Sequence, residues 1–354
     1  MTDTRATTAF LRPLDVGFMP LLDAAPLLAA SHLGLDRRHG LQLRLHRQPS
    51  WATLRDRLLT GALDAAQAMS AMVLGVQAGI GGPQADLAIL LGLNRNGQAI
   101  VLSPALAAGL AEGGPLPELL RALPRRPVFA QTFPTGTHAL WLYYWLAAQG
   151  VDPLRDIEAV TLPPPRMPQA LAAGELDGFC AGEPWGAEAE NLGAGRRVAA
   201  SGQLWPGHPE KVLATRRSFA ALEPEVSVAL TAAVLEGCRW LDADPDHRRQ
   251  AAQWLSADDA IGVPAQRLLA GLLPAGEPGQ VLQFHADGQA NFPWISDGRW
   301  ILGQFRRWGW LPPADGDEAW LVDVFRTGSY REAAALLGVP VPDGDSRPGA
   351  PAPP

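Results

Sequence analysis

The chain has 354 residues, a length that is typical of two lobes rather than of one domain. Its formal net charge of −7 is mild and no run of basic residues stands out, so the composition argues against a nucleic-acid-binding surface. The two cysteines, Cys180 and Cys238, do not have the spacing of a metal site and are compatible with a reducing compartment.

Two features of the sequence bear on export and membrane association. Residues 1–18 contain no apolar segment behind a basic start, so we expect no secretory signal. No uninterrupted apolar run reaches about eighteen residues, which predicts no membrane span. The last residues, 341–354, are rich in Pro, Gly and Asp and are expected to form a disordered tail.

Strand-like and helix-like patterns alternate along the first part of the chain. Predicted strands there cover residues 14–19, 41–45, 63–66, 87–93 and 99–102. Ser50 is a good helix N-cap, so Trp51 is predicted in the first turn of a helix that ends near Gly61. Strands that alternate with helices predict an α/β fold with parallel sheets.

A short repeat indicates two similarly built lobes. Gly61-Ala62-Leu63-Asp64 follows a helix and enters a strand, and Gly174-Glu175-Leu176-Asp177 does the same in the second half of the chain. Each glycine would be the left-handed cap that ends its helix. We therefore predict lobe 1 over residues 12–103, lobe 2 over 104–204, and a return to lobe 1 with C-terminal helices over 205–340. A ligand cleft between the lobes is expected.

Polar and aromatic residues are predicted at strand ends, where the loops of such a fold face the cleft. They are Trp51, Gln98, His138, Glu183 and Lys211. A desolvated lysine needs a partner, which a small anion in the cleft would supply, and helix N-termini would add backbone donors. No bidentate arginine stands among these loops, which favours a small, singly charged anion over a phosphate ester.

Each of these residues also has an ordinary structural interpretation. Trp51 could be a core aromatic, and His138 could pack at the start of its helix. Gln98 could be a turn residue, Glu183 could interact only with its own helix N-terminus, and an isolated lysine is most often solvated. Their joint placement favours binding. Catalysis has less support, because no Gly-x-Ser-x-Gly, HExxH or CxxC motif and no glycine-rich dinucleotide loop is present. We predict no enzyme, cofactor or metal.

Several motifs in one order resemble the family of nitrate- and bicarbonate-binding proteins of ABC transporters, over about residues 14–340. They are Pro49-Ser50-Trp51-Ala52, Asn96-Gly97-Gln98-Ala99-Ile100, Thr137-His138, Gly182-Glu183-Pro184-Trp185, His208-Pro209-Glu210-Lys211 and Asn291-Phe292-Pro293-Trp294. The resemblance implies a two-lobed α/β fold of the periplasmic-binding-protein type II, with an oxyanion between the lobes.

The same resemblance assigns roles to six positions. It implies that Trp51, Gln98, His138 and Lys211 hold nitrate, and that Gly182 and Glu183 line the same pocket. In the bicarbonate branch, the position of Lys211 carries an acidic residue that helps to hold calcium. Lysine disfavours calcium because two cations repel each other at one small site, so nitrate, with nitrite beside it, is the expected ligand.

Without a secretion signal or a lipid-anchoring cysteine near its start, the sequence resembles the cytoplasmic nitrate/nitrite sensors of the NasS type. That resemblance implies a partner, an RNA-binding antiterminator of the NasT type, which the sensor releases when its anion binds. Two alternatives are an exported nitrate-binding subunit of an ABC transporter and an enzyme on the same fold, such as a pyrimidine synthase of thiamine biosynthesis. The cysteine-rich motif of those synthases is not matched by Cys180 and Cys238.

Overall fold

The computed structural model of the chain describes residues 11–273, 281–313 and 318–347. The strands of the described residues form two sheets. They are β1 (Arg12–Phe18), β2 (Leu41–Arg47), β3 (Ala65–Met69), β4 (Leu87–Gly92), β5 (Gln98–Leu102), β6 (Val128–Gln131), β7 (Glu158–Thr161), β8 (Gly178–Gly182), β9 (Arg196–Ala200) and β10 (Lys211–Arg216).

Helices cover the faces of the sheets and make up most of the C-terminal part. They are α1 (Ala25–His32), α2 (Leu35–Arg38), α3 (Trp51–Thr60), α4 (Ser70–Gln77), α5 (Pro104–Ala111), α6 (Leu116–Arg121), α7 (Thr137–Ala148), α8 (Met167–Ala172), α9 (Trp185–Asn191), α10 (Ser201–Leu204), α11 (Arg217–Leu222), α12 (Pro224–Ala243), α13 (Pro245–Leu255), α14 (Ala265–Leu272), α15 (Ile295–Arg307), α16 (Leu321–Val324) and α17 (Thr327–Leu337).

The two sheets have corresponding strand orders, β2-β1-β3-β10-β4 in lobe 1 and β7-β6-β8-β5-β9 in lobe 2. Both are mixed, because β10 is antiparallel to β3 and β4, and β5 is antiparallel to β8 and β9. The expectation of parallel sheets is therefore wrong at β5 and β10. These are the strands on which the chain arrives from the other lobe, so each enters its sheet from the cleft edge and runs opposite to its neighbours.

The predicted boundary between the first two segments also needs correction. Strand β5 pairs with β8 and β9, so residues 98–102 belong to lobe 2 and not to the predicted lobe 1 segment 12–103. The first crossing therefore lies between β4 and β5, and the second lies between α10 and β10. After β10, the long helix α12 packs against α1 and α17 on lobe 1.

The glycine–leucine–aspartate repeat has a counterpart in the structure. Gly61 and Gly174 have positive φ angles of 82° and 72°, which suit glycine at the end of a helix. Asp64 Oδ2 accepts a hydrogen bond from the backbone N–H of Asp15 in β1 at 2.9 Å. Asp177 Oδ2 accepts one from the N–H of Val128 in β6 at 2.7 Å. Each aspartate thus fixes its central strand, β3 or β8, against the neighbouring strand.

The chain from residue 341 to residue 347 is packed against lobe 1, contrary to the predicted disordered tail. The N–H of Ile295 donates to the carbonyl of Asp345 at 2.9 Å. Arg347 forms an ion pair with Asp297 at 2.8 Å and donates to the carbonyl of Gly207 at 3.0 Å. Specific hydrogen bonds therefore order a segment whose composition alone suggests disorder, while residues 348–354 lie outside the described residues.

Across residues 11–273, 281–313 and 318–347, no helix combines the length and the apolar character that crossing a bilayer requires.

Candidate functional site

Lys211 and Gln98 occupy equivalent places in the two sheets. Lys211 begins β10 and lies opposite Met69, the last residue of β3. Gln98 begins β5 and lies opposite Gly182, the last residue of β8. Because β5 and β10 run antiparallel to these strands, their first residues meet the carboxyl ends of the strands beside them. Both side chains therefore start from the edge of their sheet that faces the other lobe.

Two helix N-termini bring aromatic rings to Lys211. Ser50 caps α3 by accepting a hydrogen bond from the N–H of Thr53 at 3.1 Å, which places Trp51 in the first turn as predicted. Lys211 Nζ lies 5.6 Å from the centre of the Trp51 ring and 3.5 Å from His138 Nε2, in the first turn of α7. The structure thus brings together three of the predicted site residues, all of them buried.

Gly182 adjoins this cluster from lobe 2, and Gln98 lies opposite Gly182. A Cβ atom on Gly182 would lie 3.3 Å from Leu21, which is a tight contact, and 3.5 Å from His138 Nε2, which is an ordinary one. Gln98 is directly opposite Gly182 and its side chain shares that face of the sheet. Its Oε1 accepts from Ser201 Oγ at 3.0 Å.

The side chain of Glu183 lies apart from the Lys211 cluster, in contrast to the sequence prediction. Its Oε1 accepts from Arg197 at 2.9 Å, and its Oε2 accepts from the N–H of Ala187 in α9 at 3.1 Å. Of the two interpretations of Glu183, the structure therefore contains the interaction with the N-terminus of its own helix, α9. Glu183, Glu190 and Arg197 line a neighbouring cavity of about 240 Å³ that Gln98 also borders. The backbone oxygen of Glu183 accepts from the N–H of Leu22 in lobe 1 at 2.9 Å.

Two carboxylates contact Lys211, and sequence reasoning missed both. Lys211 Nζ is 2.5 Å from Glu210 Oε1 and 3.2 Å from Asp23 Oδ2, and all three side chains are buried. The partner that the desolvated lysine is expected to find in a small anion is therefore already supplied by two carboxylates of the protein. Glu210 stands beside Lys211 in the sequence, but neighbours on a regular strand face opposite sides. Glu210 escapes this rule because it lies just before β10.

The sequence contains a further signal at this position. Lys211 is the only lysine in the chain, and all the other residues counted as Lys or Arg are arginines. A compact ammonium fits between two carboxylates and an imidazole where a planar guanidinium does not. The only lysine of the chain lies buried in the interlobe cluster. We infer that the shape of this site fits an ammonium better than a guanidinium.

Burial sets the protonation states of the cluster. It lowers the pKa of His138 well below its usual value, and the nearby Lys211 lowers this pKa further, so the imidazole is neutral. Burial also raises the pKa of Asp23 and of Glu210, against the opposing effect of Lys211. Burial alone would lower the pKa of Lys211, but the two carboxylates outweigh it and raise this pKa. The ammonium form is therefore retained.

Two buried donors beside the cluster have no acceptor within the described part of the chain. They are Trp51 Nε1 and Gln98 Nε2. A buried N–H without a partner costs roughly 1–3 kcal/mol, so such groups are normally matched to something. Beside the positive charge of Lys211, they offer hydrogen bonds to a ligand that only accepts them. A small planar oxyanion is a ligand of that kind.

Comparison with known proteins places the chain in a family. The sequence model of the NMT1-like family matches residues 9–256 of the chain. The nitrate/nitrite binding protein NrtA of Synechocystis sp. is 33% identical over an alignment of 354 positions. This alignment covers 94% of this chain and 79% of that protein. The nitrate import ATP-binding protein NrtC of the same organism is 36% identical over 351 residues. The match covers 94% of this chain and 51% of NrtC, so the chain spans about half the length of that relative.

A solved structure agrees with this assignment. The periplasmic nitrate-binding protein NrtA from Synechocystis PCC 6803 matches with a TM-score of 0.89 and 31% identity, over 95% of this chain and 92% of that one. The two-lobed fold predicted from the sequence is therefore confirmed, as is the prediction of a binding protein rather than an enzyme. The chain belongs to the NMT1-like family, within the substrate-binding proteins of the nitrate- and bicarbonate-binding group.

Proposed function

We propose that the chain binds nitrate, with nitrite as a second ligand, between its lobes, as a substrate-binding protein of the ABC-transporter type. The observation that carries this proposal is the set of buried donors around Lys211: its own ammonium 3.5 Å from His138 Nε2, and the unpaired Trp51 Nε1 and Gln98 Nε2. Nitrate is planar, carries one negative charge and only accepts hydrogen bonds. The names of the relatives NrtA and NrtC support the same ligand.

The cluster around Lys211 suits an anion better than the neighbouring cavity does. Arg197 in that cavity already pairs with Glu183 at 2.9 Å and with Glu190 at 2.8 Å, and its side chain is 38% exposed. Two carboxylates pair with Arg197 just as two pair with Lys211, but the guanidinium is also exposed to water. The side chains of the Lys211 cluster are buried, and a charge-assisted hydrogen bond is stronger in a buried site of low dielectric constant.

Titration calorimetry of the full chain with nitrate tests this proposal, together with two matched variants. We expect saturable binding in the wild-type chain and in Arg197→Gln, and none in Lys211→Gln. Nitrate at about a hundred times its dissociation constant should stabilise the wild-type fold by about 2.7 kcal/mol in thermal unfolding. No heat and no stabilisation at millimolar nitrate would refute the proposal. Loss of binding in Arg197→Gln alone would move the site to the neighbouring cavity.

The role of a cytoplasmic nitrate/nitrite sensor remains a prediction, and the comparisons favour a transporter subunit over it. The relatives described above are named for nitrate import and for nitrate/nitrite binding, which supports the transporter-type subunit rather than the sensor. The cytoplasmic location and the antiterminator partner of the sensor hypothesis can be tested directly. Fractionation of cells that express the native gene tests the location. A pull-down with and without nitrate tests the partner, and the sensor hypothesis requires an RNA-binding protein that nitrate releases.

A further inference from the structure

The buried cluster around Lys211 has more negative than positive charge before any anion enters. Lys211 contributes one positive charge, while Asp23 and Glu210, at 3.2 Å and 2.5 Å from its Nζ, contribute two negative ones. His138 is neutral for the reason given above, and burial holds the pKa of His208 at about 3. With both carboxylates ionised, the cluster therefore has one uncompensated negative charge.

A monovalent anion would add a second uncompensated charge to the same buried site. An unpaired buried charge is so unfavourable that the group normally changes its protonation state instead. The arrangement therefore calls for a cation that accompanies the anion, and the smallest one available from water is a proton. From this charge balance we propose that the pocket binds its anion together with one proton, which the carboxylate of Glu210 takes up. This inference rests on the proposed anion-binding function.

Hydrogen bonding singles out Glu210 as the proton acceptor. Its Oε1 accepts from Lys211 Nζ and from Thr137 Oγ1, each at 2.5 Å, whereas its buried Oε2 has no donor among the described residues. Both oxygens of Asp23 are occupied, one by Gln67 Nε2 and the other by Lys211 Nζ. A proton can therefore bond to Glu210 Oε2 without displacing an existing hydrogen bond.

The other titratable groups around Glu210 are poorer acceptors. Those that face it or act on its surroundings are Asp23, His138, Cys180, His208 and Lys211, with Arg95 and Arg347 beyond His208. A proton on His138 would create an imidazolium 3.5 Å from the ammonium of Lys211. Burial raises the pKa of the Cys180 thiol well above its usual value, so this thiol is already protonated.

The binding step balances in atoms and charge. One anion and one proton leave water, an O–H bond forms at Glu210 Oε2, and Lys211 keeps its ammonium form. The net charge of the cluster is the same before and after binding, because the charge of the anion and that of the proton cancel.

The sign of the pH effect follows from this step. The bound anion raises the pKa of Glu210 above its value in the free protein, because it adds a negative charge beside the carboxylate. Binding is therefore strongest below the free-state pKa and weakens as the pH rises from there through the bound-state pKa. Within that window, the affinity should fall by up to about tenfold per pH unit, which is the limit for uptake of one proton.

Calorimetry with nitrate in buffers of different ionisation heat counts the protons taken up. For the wild-type chain, we expect uptake that rises towards about one proton across the pH range in which the affinity falls. Glu210→Gln keeps the shape of the side chain and removes its charge. This variant should bind nitrate with almost no proton uptake and with little dependence on pH.

The single lysine provides a second readout that needs no variant. Protein labelled with carbon-13 in lysine gives one side-chain signal, which reports the charge of Lys211. We expect this signal to stay in the ammonium range with and without nitrate. A lysine that becomes protonated on binding would instead assign the proton to Lys211 and overturn the inference.

The remaining outcomes separate this inference from the proposed function. Nitrate binding with no proton uptake at any pH would overturn the inference and leave the function intact. Uptake that persists in Glu210→Gln would exclude Glu210 as the acceptor. No heat with nitrate in any buffer, with the protein folded, would overturn both.

Discussion

The two lobes share one plan but contribute different chemistry to the cleft between them. Their sheets correspond strand by strand, and the antiparallel strand that arrives from the other lobe begins with Lys211 in lobe 1 and with Gln98 in lobe 2. The segments that follow β1 and β6 carry Asp23 and His138 respectively. Lobe 1 thus supplies charged groups where lobe 2 supplies neutral ones. The fold fixes where side chains enter the cleft, and the residue types decide where the charge lies.

Asp64 and Asp177 occupy equivalent positions in the two lobes but make different contributions to the stability of the fold. Asp64 in lobe 1 is partly exposed and its carboxylate accepts from the backbone N–H of Asp15. Asp177 in lobe 2 is buried, and in addition to the N–H of Val128 it binds Arg125 at 2.6 Å. The repeat in the sequence is nearly identical at these two positions, so the difference comes from the surroundings.

The largest expected effect is on folding and concerns these two aspartates. Asp177→Ala should lower the free energy of unfolding by about 3 kcal/mol, because a buried N–H and a guanidinium lose a charged acceptor. Asp64→Ala should cost about 1 kcal/mol, since water can replace the partner of a more exposed group. Urea unfolding of both variants measures the difference. An equal or larger loss in Asp64→Ala would show that the two lobes use this residue alike.

The next effect is on binding and separates charge from shape at Lys211. Lys211→Arg keeps the positive charge, but a guanidinium overfills a site that is 0% exposed, which typically costs about 1–3 kcal/mol. We expect nitrate affinity to fall by roughly tenfold to a hundredfold in calorimetry. The matched exchange Arg197→Lys, beside the neighbouring cavity, should leave affinity unchanged. Wild-type affinity in Lys211→Arg would mean that the charge alone is sufficient.

The fold could be predicted largely from the sequence, because hydrophobic periodicity, helix caps and the glycine–leucine–aspartate repeat are local signals. Ser50 and Gly61 delimit α3 as predicted. The direction of β5 and β10 could not be predicted in this way. Strand direction depends on which lobe the chain has just left, and no local pattern records that.

Three of the predicted site residues meet in the structure, but Glu183 does not join them and the charge balance of the cluster could not be predicted. Trp51, His138 and Lys211 meet because three separate elements begin at one edge, as the strand-and-helix pattern indicates. Asp23 remained unnoticed because an acidic residue just before a helix is usually explained by the helix dipole. Its contact with Lys211 joins residues that are far apart in the sequence, and only the folded chain reveals such a contact.

A smaller effect tests the neutral contribution of lobe 2. Gln98→Met keeps the approximate volume of the side chain and removes the donor Nε2, which has no acceptor within the described residues. Loss of one neutral hydrogen bond to the anion should weaken nitrate binding by about 1.4 kcal/mol, or roughly tenfold. Gln203→Met, at an exposed position beside the neighbouring cavity, is the control and should bind like the wild type. Undiminished affinity in Gln98→Met would remove Gln98 from the site.

The smallest expected effect concerns Trp51, whose alternative interpretation is a core aromatic. Trp51→Phe keeps an aromatic face near Lys211 Nζ but removes the unpaired Nε1 donor. If that donor binds the anion, affinity should fall by about 1 kcal/mol, or roughly fivefold, in calorimetry with nitrate.

Trp51→Leu also removes the cation–π contact, which is worth about another 1 kcal/mol or more in a buried site, and should bind still more weakly. The control Trp254→Phe alters a half-buried ring that stacks on His32 at 4.8 Å and is not one of the candidate site residues, so it should not change affinity. If both Trp51 variants unfold more easily yet bind nitrate like the wild type, then Trp51 contributes packing alone. In that case lobe 1 would provide only its charged groups to the ligand.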